Sequence, residues 1–274
     1  MLNDSLGRMY ALTGSALPMS LVLAVFATLS THNAQAQLIG YYTFDGNDAT
    51  DGSGFGNTGN VGANVTFSGS VPTALGSGQA AVFDGTSGGN GLISVPNSSS
   101  LQAINDSMTV SFWINMDHTA NPNWVRVTRK ATEAGGSQGW MITRQNNTSD
   151  LLMRTDTLGG GGAFNQNRGN GVGVGMLNGT WQHYTHVRDN GTWIEYVNGV
   201  QTGSGTYPHG NGFSNTQPLL IGGRGGGDNM IGSLDDYAIF NRRLDPTEVT
   251  ALATGAIAPS GLVSGITVSD DAGN

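Results

Sequence analysis

The chain of 274 residues has a net charge of −8, a single lysine and no cysteine. Because contacts to phosphates need clustered Lys and Arg, this charge argues against nucleic-acid binding. The lack of cysteine excludes disulfides, thiolate metal sites and cysteine nucleophiles. Glycine is abundant, but five Trp, nine Phe and seven Tyr lie in alternating segments, which favours a folded, turn-rich β-protein.

The N-terminal segment has the pattern of a secretory signal. Residues 16–30 form a mostly apolar run, and Ala34-Gln35-Ala36 follows as an A-x-A cleavage pattern. The run is shorter than the ~20 residues that span a membrane. We therefore predict a signal peptide over residues 1–36 and a secreted protein, extracellular, periplasmic or on the cell surface, without a membrane contact after cleavage. An uncleaved anchor is the alternative.

The rest of the chain has the pattern of short strands separated by turns. The predicted strands are 38–45, 61–67, 79–84, 91–95, 107–116, 124–130, 139–145, 150–155, 180–189, 192–197, 200–206, 219–222 and 231–240. The Gly-rich segment 159–175 is predicted to be a loop, and 246–254 is the one convincing helix. No strand–helix–strand alternation appears, so we expect an all-β sandwich or jelly roll over residues 37–255. Residues 256–274 are interpreted as a linker or tail, or as the start of a truncated next module.

The last predicted strand carries two adjacent carboxylates, Asp235 and Asp236. Because successive strand residues point to opposite faces, Asp236 is expected to share an apolar face with Leu234 and Ala238. A buried carboxylate needs a partner, commonly a cation or a set of hydrogen bonds. Asp245-Pro246-Thr247-Glu248 then predicts a helix start with a capping box.

Segments along most of the chain resemble the laminin-G-like family of concanavalin A-type jelly rolls. They are YTFD (42–45) with DGSGFGNTG (51–59), AVFDG (81–85), MTVSFWI (108–114), GTWQH (179–183) with YVNG (196–199), LLIGG (219–223) and GSLDDYAIFNRRLDPTEV (232–249). Each segment alone is weak, but six in the family's order indicate two antiparallel sheets packed as a sandwich over residues 38–255. The fold hosts sugar-binding modules, adhesion domains and glycan-cleaving enzymes alike, so it does not fix an activity.

The resemblance implies a structural Ca²⁺ near the first and last strands, on the convex side. Asp236 is the first candidate ligand, Asp45 and Asp84 are further candidates, and Asp235 is a weaker one. Carboxylate oxygens suit this hard cation. In the alternative interpretation these residues only cap turns through their own backbone.

Two Trp/Arg pairs are candidates for a ligand-binding groove. Trp124 and Arg126 are predicted to share one strand face, and Trp140 and Arg144 another. If these strands are adjacent, they line a groove for an acidic or neutral glycan. The alternative is that the aromatic side chains belong to the core and the arginines are simply exposed.

A catalytic site is not evident in the sequence. The chain has three Glu, and none lies in the Glu-x-Asp-x-x-Glu motif of jelly-roll glucanases. Glu195 remains as an isolated candidate acid. We therefore predict a secreted, non-catalytic carbohydrate-binding or adhesion module, stabilised by calcium, with a glycan or a cell-surface or extracellular protein as partner. A polysaccharide lyase or glucanase of the same fold, or a purely structural cell-envelope domain, is the alternative.

Overall fold

The computed structural model describes residues 38–104, 106–132, 139–144, 148–156, 166–168, 178–206 and 214–262. Its strands, in chain order, are β1 (Leu38–Tyr42), β2 (Asn60–Val61), β3 (Thr66–Ser68), β4 (Ala80–Asp84), β5 (Ile93–Val95), β6 (Met108–Asp117), β7 (Arg126–Ala131), β8 (Gly139–Arg144), β9 (Leu151–Asp156), β10 (Gln166–Arg168), β11 (Asn178–Asp189), β12 (Thr192–Val197), β13 (Val200–Thr206), β14 (Leu219–Ile221) and β15 (Ile231–Phe240). The helices are α1 (Ser99–Gln102) and α2 (Pro246–Ala253), and 3₁₀ turns lie at Gly89–Gly91, His118–Ala120 and Pro259–Leu262. No helix in these ranges is long and apolar enough to cross a membrane.

The strands form two antiparallel sheets. The first has eight strands, in the order β13-β12-β11-β6-β15-β4-β3, with β1 also paired to β15. The second has seven, in the order β10-β9-β8-β7-β14-β5-β2. The predicted all-β jelly roll with one short C-terminal helix is confirmed, and α1 adds only a four-residue turn.

The main hydrophobic core draws on both sheets. Alternation along β6 puts Val110, Phe112 and Ile114 into it, and β8 contributes Trp140 and Ile142. Each of these side chains is at most 1% exposed. Burial of a side chain of this size contributes ~1.5–3 kcal/mol, so a core of this extent can stabilise the sandwich without disulfides.

Strand β15 changes partner along one of its edges. One edge pairs with β6, whereas the other pairs first with β4 and then with β1. The pairing with β4 ends at Leu234, and the pairing with β1 begins at Tyr237. Asp235 and Asp236 lie in the interval, where neither strand is paired with this edge.

A β-bulge at the same place changes the side-chain alternation. The register against β6 shifts between Asp235 and Ala238, and Asp236 has a φ of 45°. The extra residue of a bulge redirects the side chains that follow it. Leu234 and Tyr237 therefore both belong to the main core, whereas Ala238 belongs to a second apolar cluster. The predicted alternation, with Leu234 and Ala238 on one face, is wrong here.

Helix α2 packs on the second apolar cluster. Its predicted capping box is confirmed: Oδ1 of Asp245 accepts from the N–H of Glu248 at 2.9 Å, and Oε2 of Glu248 accepts from the N–H of Asp245 at 2.8 Å. Ile257 and Leu262 also pack against the cluster. Two residues of the predicted linker or tail therefore pack against α2 and its neighbours. The predicted signal peptide and residues 263–274 lie outside the described residues.

Candidate functional site

A pocket of about 240 Å³ lies where β15 changes partner. Its wall includes Tyr41, Thr43, Asp45, Ser77, Asp235 and Asp236. We call it the acidic pocket, because three carboxylates line it. The structure thus brings together three of the four predicted calcium ligands.

The bulge explains why two consecutive carboxylates line one pocket. In a regular strand, neighbouring side chains point to opposite faces, so only one of Asp235 and Asp236 would reach it. The positive φ of Asp236 is uncommon outside glycine, although Asp and Asn adopt it more readily than other residues. Such backbone strain clusters at functional sites, and it points to a role for this pair.

Hydrogen bonds fix the carboxylates of the pocket. The hydroxyl of Tyr41 donates to Oδ1 of Asp236 at 2.8 Å, and the N–H of Asp236 donates to Oδ1 of Asp235 at 2.8 Å. The N–H of Gln79 donates to Oδ1 of Asp45 at 2.9 Å. The pocket is therefore built from the end of β1, the loop before β4, the bulge of β15 and the segment after α2.

The pocket concentrates negative charge in a buried place. Burial, followed by the charges of Asp236 and Asp45, raises the pKa of Asp235 to about 8. Burial also raises the pKa of Asp236 to about 6, although the hydrogen bond from Tyr41 acts in the opposite direction. Burial and the nearby carboxylates raise the pKa of Tyr41 as well. Ionising Asp235 and Asp236 together is therefore costly without a compensating cation.

The chemistry of the acidic pocket fits a hard cation. Ca²⁺ prefers carboxylate and carbonyl oxygens, and a cation would relieve the repulsion between Asp45, Asp235 and Asp236. As they are placed, however, no three acidic or histidine side chains in the described ranges form a ready-made metal site. Binding would require these carboxylates to turn toward one another.

Asp84, the fourth predicted calcium ligand, lies outside the acidic pocket. It ends β4 opposite Ile231, whereas the pocket is lined by residues of the loop before β4. The N–H and hydroxyl of Thr86 donate to its carboxylate at 2.8 and 2.9 Å, and these bonds lower the pKa of Asp84. Asp84 therefore caps its own turn, which is the alternative interpretation of this residue.

A second site lies at the start of β7, in the second sheet. Trp124 is partly exposed and has a φ of 63°. The guanidinium of Arg154 lies over its ring, 5.2 Å from the ring centre. Nη1 of Arg126 donates to the carbonyl of Trp124 at 2.6 Å and to Oδ2 of Asp228 at 3.1 Å, and Nη2 of Arg224 lies 3.3 Å from the same oxygen. We call these five residues the arginine–tryptophan patch.

The other two predicted ligand-binding residues, Trp140 and Arg144, are buried. Trp140 is 1% exposed and belongs to the main core, because its face of β8 is directed inward. Arg144 is 4% exposed, and its Nη1 donates to the carbonyls of Asn121 and Pro122 at 2.8 and 3.1 Å. The prediction that all four residues line one groove is therefore wrong. Arg144 instead holds the segment that leads into Trp124.

Glu195, the candidate acid of the enzyme alternative, is inaccessible. It is 2% exposed, accepts a hydrogen bond from the hydroxyl of Tyr184 at 2.5 Å and lies 3.5 Å from Nδ1 of His186, which is 0% exposed. A polysaccharide does not reach a side chain buried to this degree. The structure therefore offers no support for Glu195 as a general acid.

The residues of these sites that were not singled out in the sequence include Tyr41, Arg154, Arg224 and Asp228. Tyr41 reaches the acidic pocket only because β1 pairs with β15 beyond the bulge. Arg154 lies in a strand that was predicted, but its position over Trp124 depends on tertiary structure. In the sequence, Asp228 lies in a Gly-rich turn before β15, and this pattern by itself indicates only a loop.

The family of the chain agrees with its fold. Residues 87–250 match the laminin-G group of the concanavalin A-like lectin/glucanases superfamily. The match covers more than half of the chain, so the protein belongs to this family. No curated protein sequence matches the chain.

Solved structures with the same fold include binding domains and one domain of an arabinanase. The binding domain of Paraclostridial Mosquitocidal Protein 1 is similar at a TM-score of 0.59 and 20% identity, over 79% of this chain and 52% of that chain. A second similar structure is Domain 4 of AbnA, a GH43 extracellular arabinanase from Geobacillus stearothermophilus, solved in complex with arabinotriose. It has a TM-score of 0.56 and 21% identity, over 80% of this chain and 99% of that chain. The binding domain of Botulinum Neurotoxin DC, solved in complex with SialylT, has a TM-score of 0.60 and 17% identity, over 81% of this chain and 52% of that chain. This chain thus spans about half of the first and third structures, and at these identities the likeness shows the fold alone.

Proposed function

We propose that the protein is a secreted, non-catalytic carbohydrate-binding or adhesion module, stabilised by a calcium ion in the acidic pocket. The family, which includes lectins, supports this proposal. So do two similar structures that were solved in complex with arabinotriose and with SialylT. A glycan or a cell-surface protein that displays one is the proposed partner.

The arginine–tryptophan patch is the observation that carries the proposal. Ligand sites combine aromatic surface with a few oriented polar groups, and Trp124 with its neighbouring guanidiniums has this composition. The buried guanidinium of Arg144 bonds to the chain just before Trp124, so the aromatic residue is held in a strained but fixed conformation. Preorganisation of this kind lowers the entropic cost of binding.

Calcium is assigned a structural role in this proposal. Asp45, Asp235 and Asp236 would hold the ion, which would neutralise their charge at the junction of β1, β4 and β15. Since β15 has no strand paired to this edge at Asp235 and Asp236, the ion would connect elements that backbone hydrogen bonds do not join there.

Affinity electrophoresis against a panel of neutral and acidic polysaccharides tests the proposed function. We expect retardation by at least one polysaccharide and a loss of about tenfold or more in affinity for Trp124→Ala. Phe55→Ala is the matched control, because Phe55 is an exposed aromatic residue in the loop between β1 and β2. The absence of any binding, or equal binding by Trp124→Ala, would overturn the proposal and favour a structural envelope domain.

A further inference from the structure

The arginine–tryptophan patch gathers positive charge on an acidic protein. Arg126 begins β7, Arg154 lies in β9, and Arg224 lies between β14 and β15. The fold thus brings three of the few basic residues of a chain with a net charge of −8 to one site. Asp228 lies among them, and its carboxylate is shared by Arg126 and Arg224.

Two guanidiniums of the patch lie close together, because Arg126 and Arg224 both approach Oδ2 of Asp228, at 3.1 and 3.3 Å. Burial, followed by the charge of Arg126, lowers the pKa of Arg154. Like charges held together in this way are stabilised by an anion that binds between them. The patch is also partly exposed: the side chain of Arg126 is 12% exposed and that of Arg224 is 30% exposed.

The guanidiniums are oriented before any ligand arrives. The guanidinium carbon of Arg154 lies 5.2 Å from the centre of the Trp124 ring, and a cation in this position is attracted to the face of the ring. Nε of Arg224 donates to the carbonyl of Gly227 at 3.1 Å. Arg129 supports the same loop, since its Nη1 donates to the carbonyl of Arg224 at 3.3 Å.

We propose that the patch recognises an anionic polysaccharide, one that carries carboxylate or sulfate groups, through Arg126, Arg154 and Arg224. Planar guanidinium forks match the oxygens of a carboxylate or sulfate and form charge-assisted hydrogen bonds with them. Trp124 then supplies the aromatic surface of the site and fixes Arg154. This inference rests on the proposed function and names the substrate class of the same site.

The test compares polymers that differ only in charge. The probes are polygalacturonate against its methyl ester, and dextran sulfate against dextran, with single-stranded DNA as a polyanion of another class. We expect the anionic member of at least one pair to bind at least about tenfold more tightly than its neutral partner, and binding to weaken as salt is added. DNA is expected not to bind.

Arginine variants locate the binding. Arg154→Gln and Arg224→Gln should each lose about tenfold or more in affinity for the anionic probe. Arg154→Lys keeps the charge but loses the fork, and it should lie between wild type and Arg154→Gln. Arg243→Gln, a change of an exposed arginine after β15, is the control and should remain within about twofold of wild type. Thermal unfolding of each variant checks that it is folded. If Arg154→Gln does not fold, Arg224→Gln alone tests the inference.

The outcomes separate the inference from the proposed function. If neutral and charged members of each pair bind equally, and Trp124→Ala abolishes both, the inference is wrong and the proposed function stands. If Arg243→Gln loses as much affinity as Arg154→Gln, or if DNA binds equally, the attraction is unspecific and the inference is wrong. If no polysaccharide of any charge binds, the proposed function fails as well.

Discussion

Replacing Asp236 by Asn is expected to stabilise the ion-free protein at neutral pH and to abolish the proposed stabilisation by calcium. Asn keeps an oxygen that can accept from the hydroxyl of Tyr41, and it tolerates the positive φ of this position. It removes one of the charges that the acidic pocket buries. Most substitutions at a functional residue destabilise, so a gain in stability is a distinctive outcome.

The size of the effect follows from the pKa of Asp236. Burial raises it from 3.8 to about 6, which corresponds to about 3 kcal/mol at neutral pH. Because the side chain keeps some contact with solvent, we expect about 1–3 kcal/mol. For a domain of this size, each kcal/mol shifts the unfolding temperature by about 2–4 °C.

The pH dependence has a definite sign. A carboxyl whose pKa is higher in the folded state binds more protons there, so stability falls as pH rises from its ordinary pKa to the raised one. For Asp236 this interval runs from 3.8 to about 6, and for Asp235 it extends to about 8. Calcium should therefore add little stability near pH 5 and most near pH 8, because binding requires the carboxylates to be ionised.

The assay is thermal unfolding near pH 5 and near pH 8, with calcium and with a chelator. Asp84→Asn is the matched control, because Asp84 is an exposed carboxylate at the other end of β4, and it should keep the calcium response. If chelated Asp236→Asn protein unfolds at a lower temperature than wild type near pH 8, or if it still responds to calcium, Asp236 is neither a buried repulsive charge nor a calcium ligand.

Three further predictions concern stability. Arg188→Met should lower the free energy of unfolding by about 3–5 kcal/mol in urea. Nη2 of Arg188 lies 2.8 Å from Oδ1 of buried Asp106, and the change leaves that carboxylate uncompensated. Combining Arg188→Met with Asp106→Leu should recover part of the loss. Burial lowers the pKa of Lys130 to about 8, so between about pH 8 and the ordinary lysine pKa of 10.5 the folded state binds fewer protons than the unfolded state. The stability of wild type relative to Lys130→Met should therefore rise with pH across this interval. A stability difference that does not change with pH would contradict this. Asp245→Ala removes the N-cap of α2 and should cost about 1 kcal/mol in the same unfolding assay, whereas Asp245→Asn should cost less.

The regular parts of the fold were predictable from the sequence because their physics is local. Alternation in residues 107–116 predicted β6 within one residue of its bounds. The capping box at Asp245 predicted the start of α2, since both partners lie within four residues of each other. Turn signals such as Asn198-Gly199 predicted the hairpin between β12 and β13 for the same reason.

The two sites were less predictable because they depend on departures from regularity and on tertiary pairing. The alternation argument assigns Asp235 and Asp236 to opposite faces, and only the bulge brings both to one pocket. Trp124 and Trp140 each stand near an arginine in sequence, yet one is partly exposed before β7 and the other is buried within β8. Local sequence does not distinguish these two environments, since they differ in which neighbours cover them.

Hydrogen exchange of the backbone N–H groups, with and without the polysaccharide that binds most tightly, shows which surface binds the glycan. We expect slower exchange in the segments 123–126 and 224–229, which carry Trp124, Arg126, Arg224 and Asp228, and unchanged exchange in the bulge at Asp235 and Asp236. Protection confined to the acidic pocket, or no protection at the patch, would contradict the claim that this surface binds the glycan.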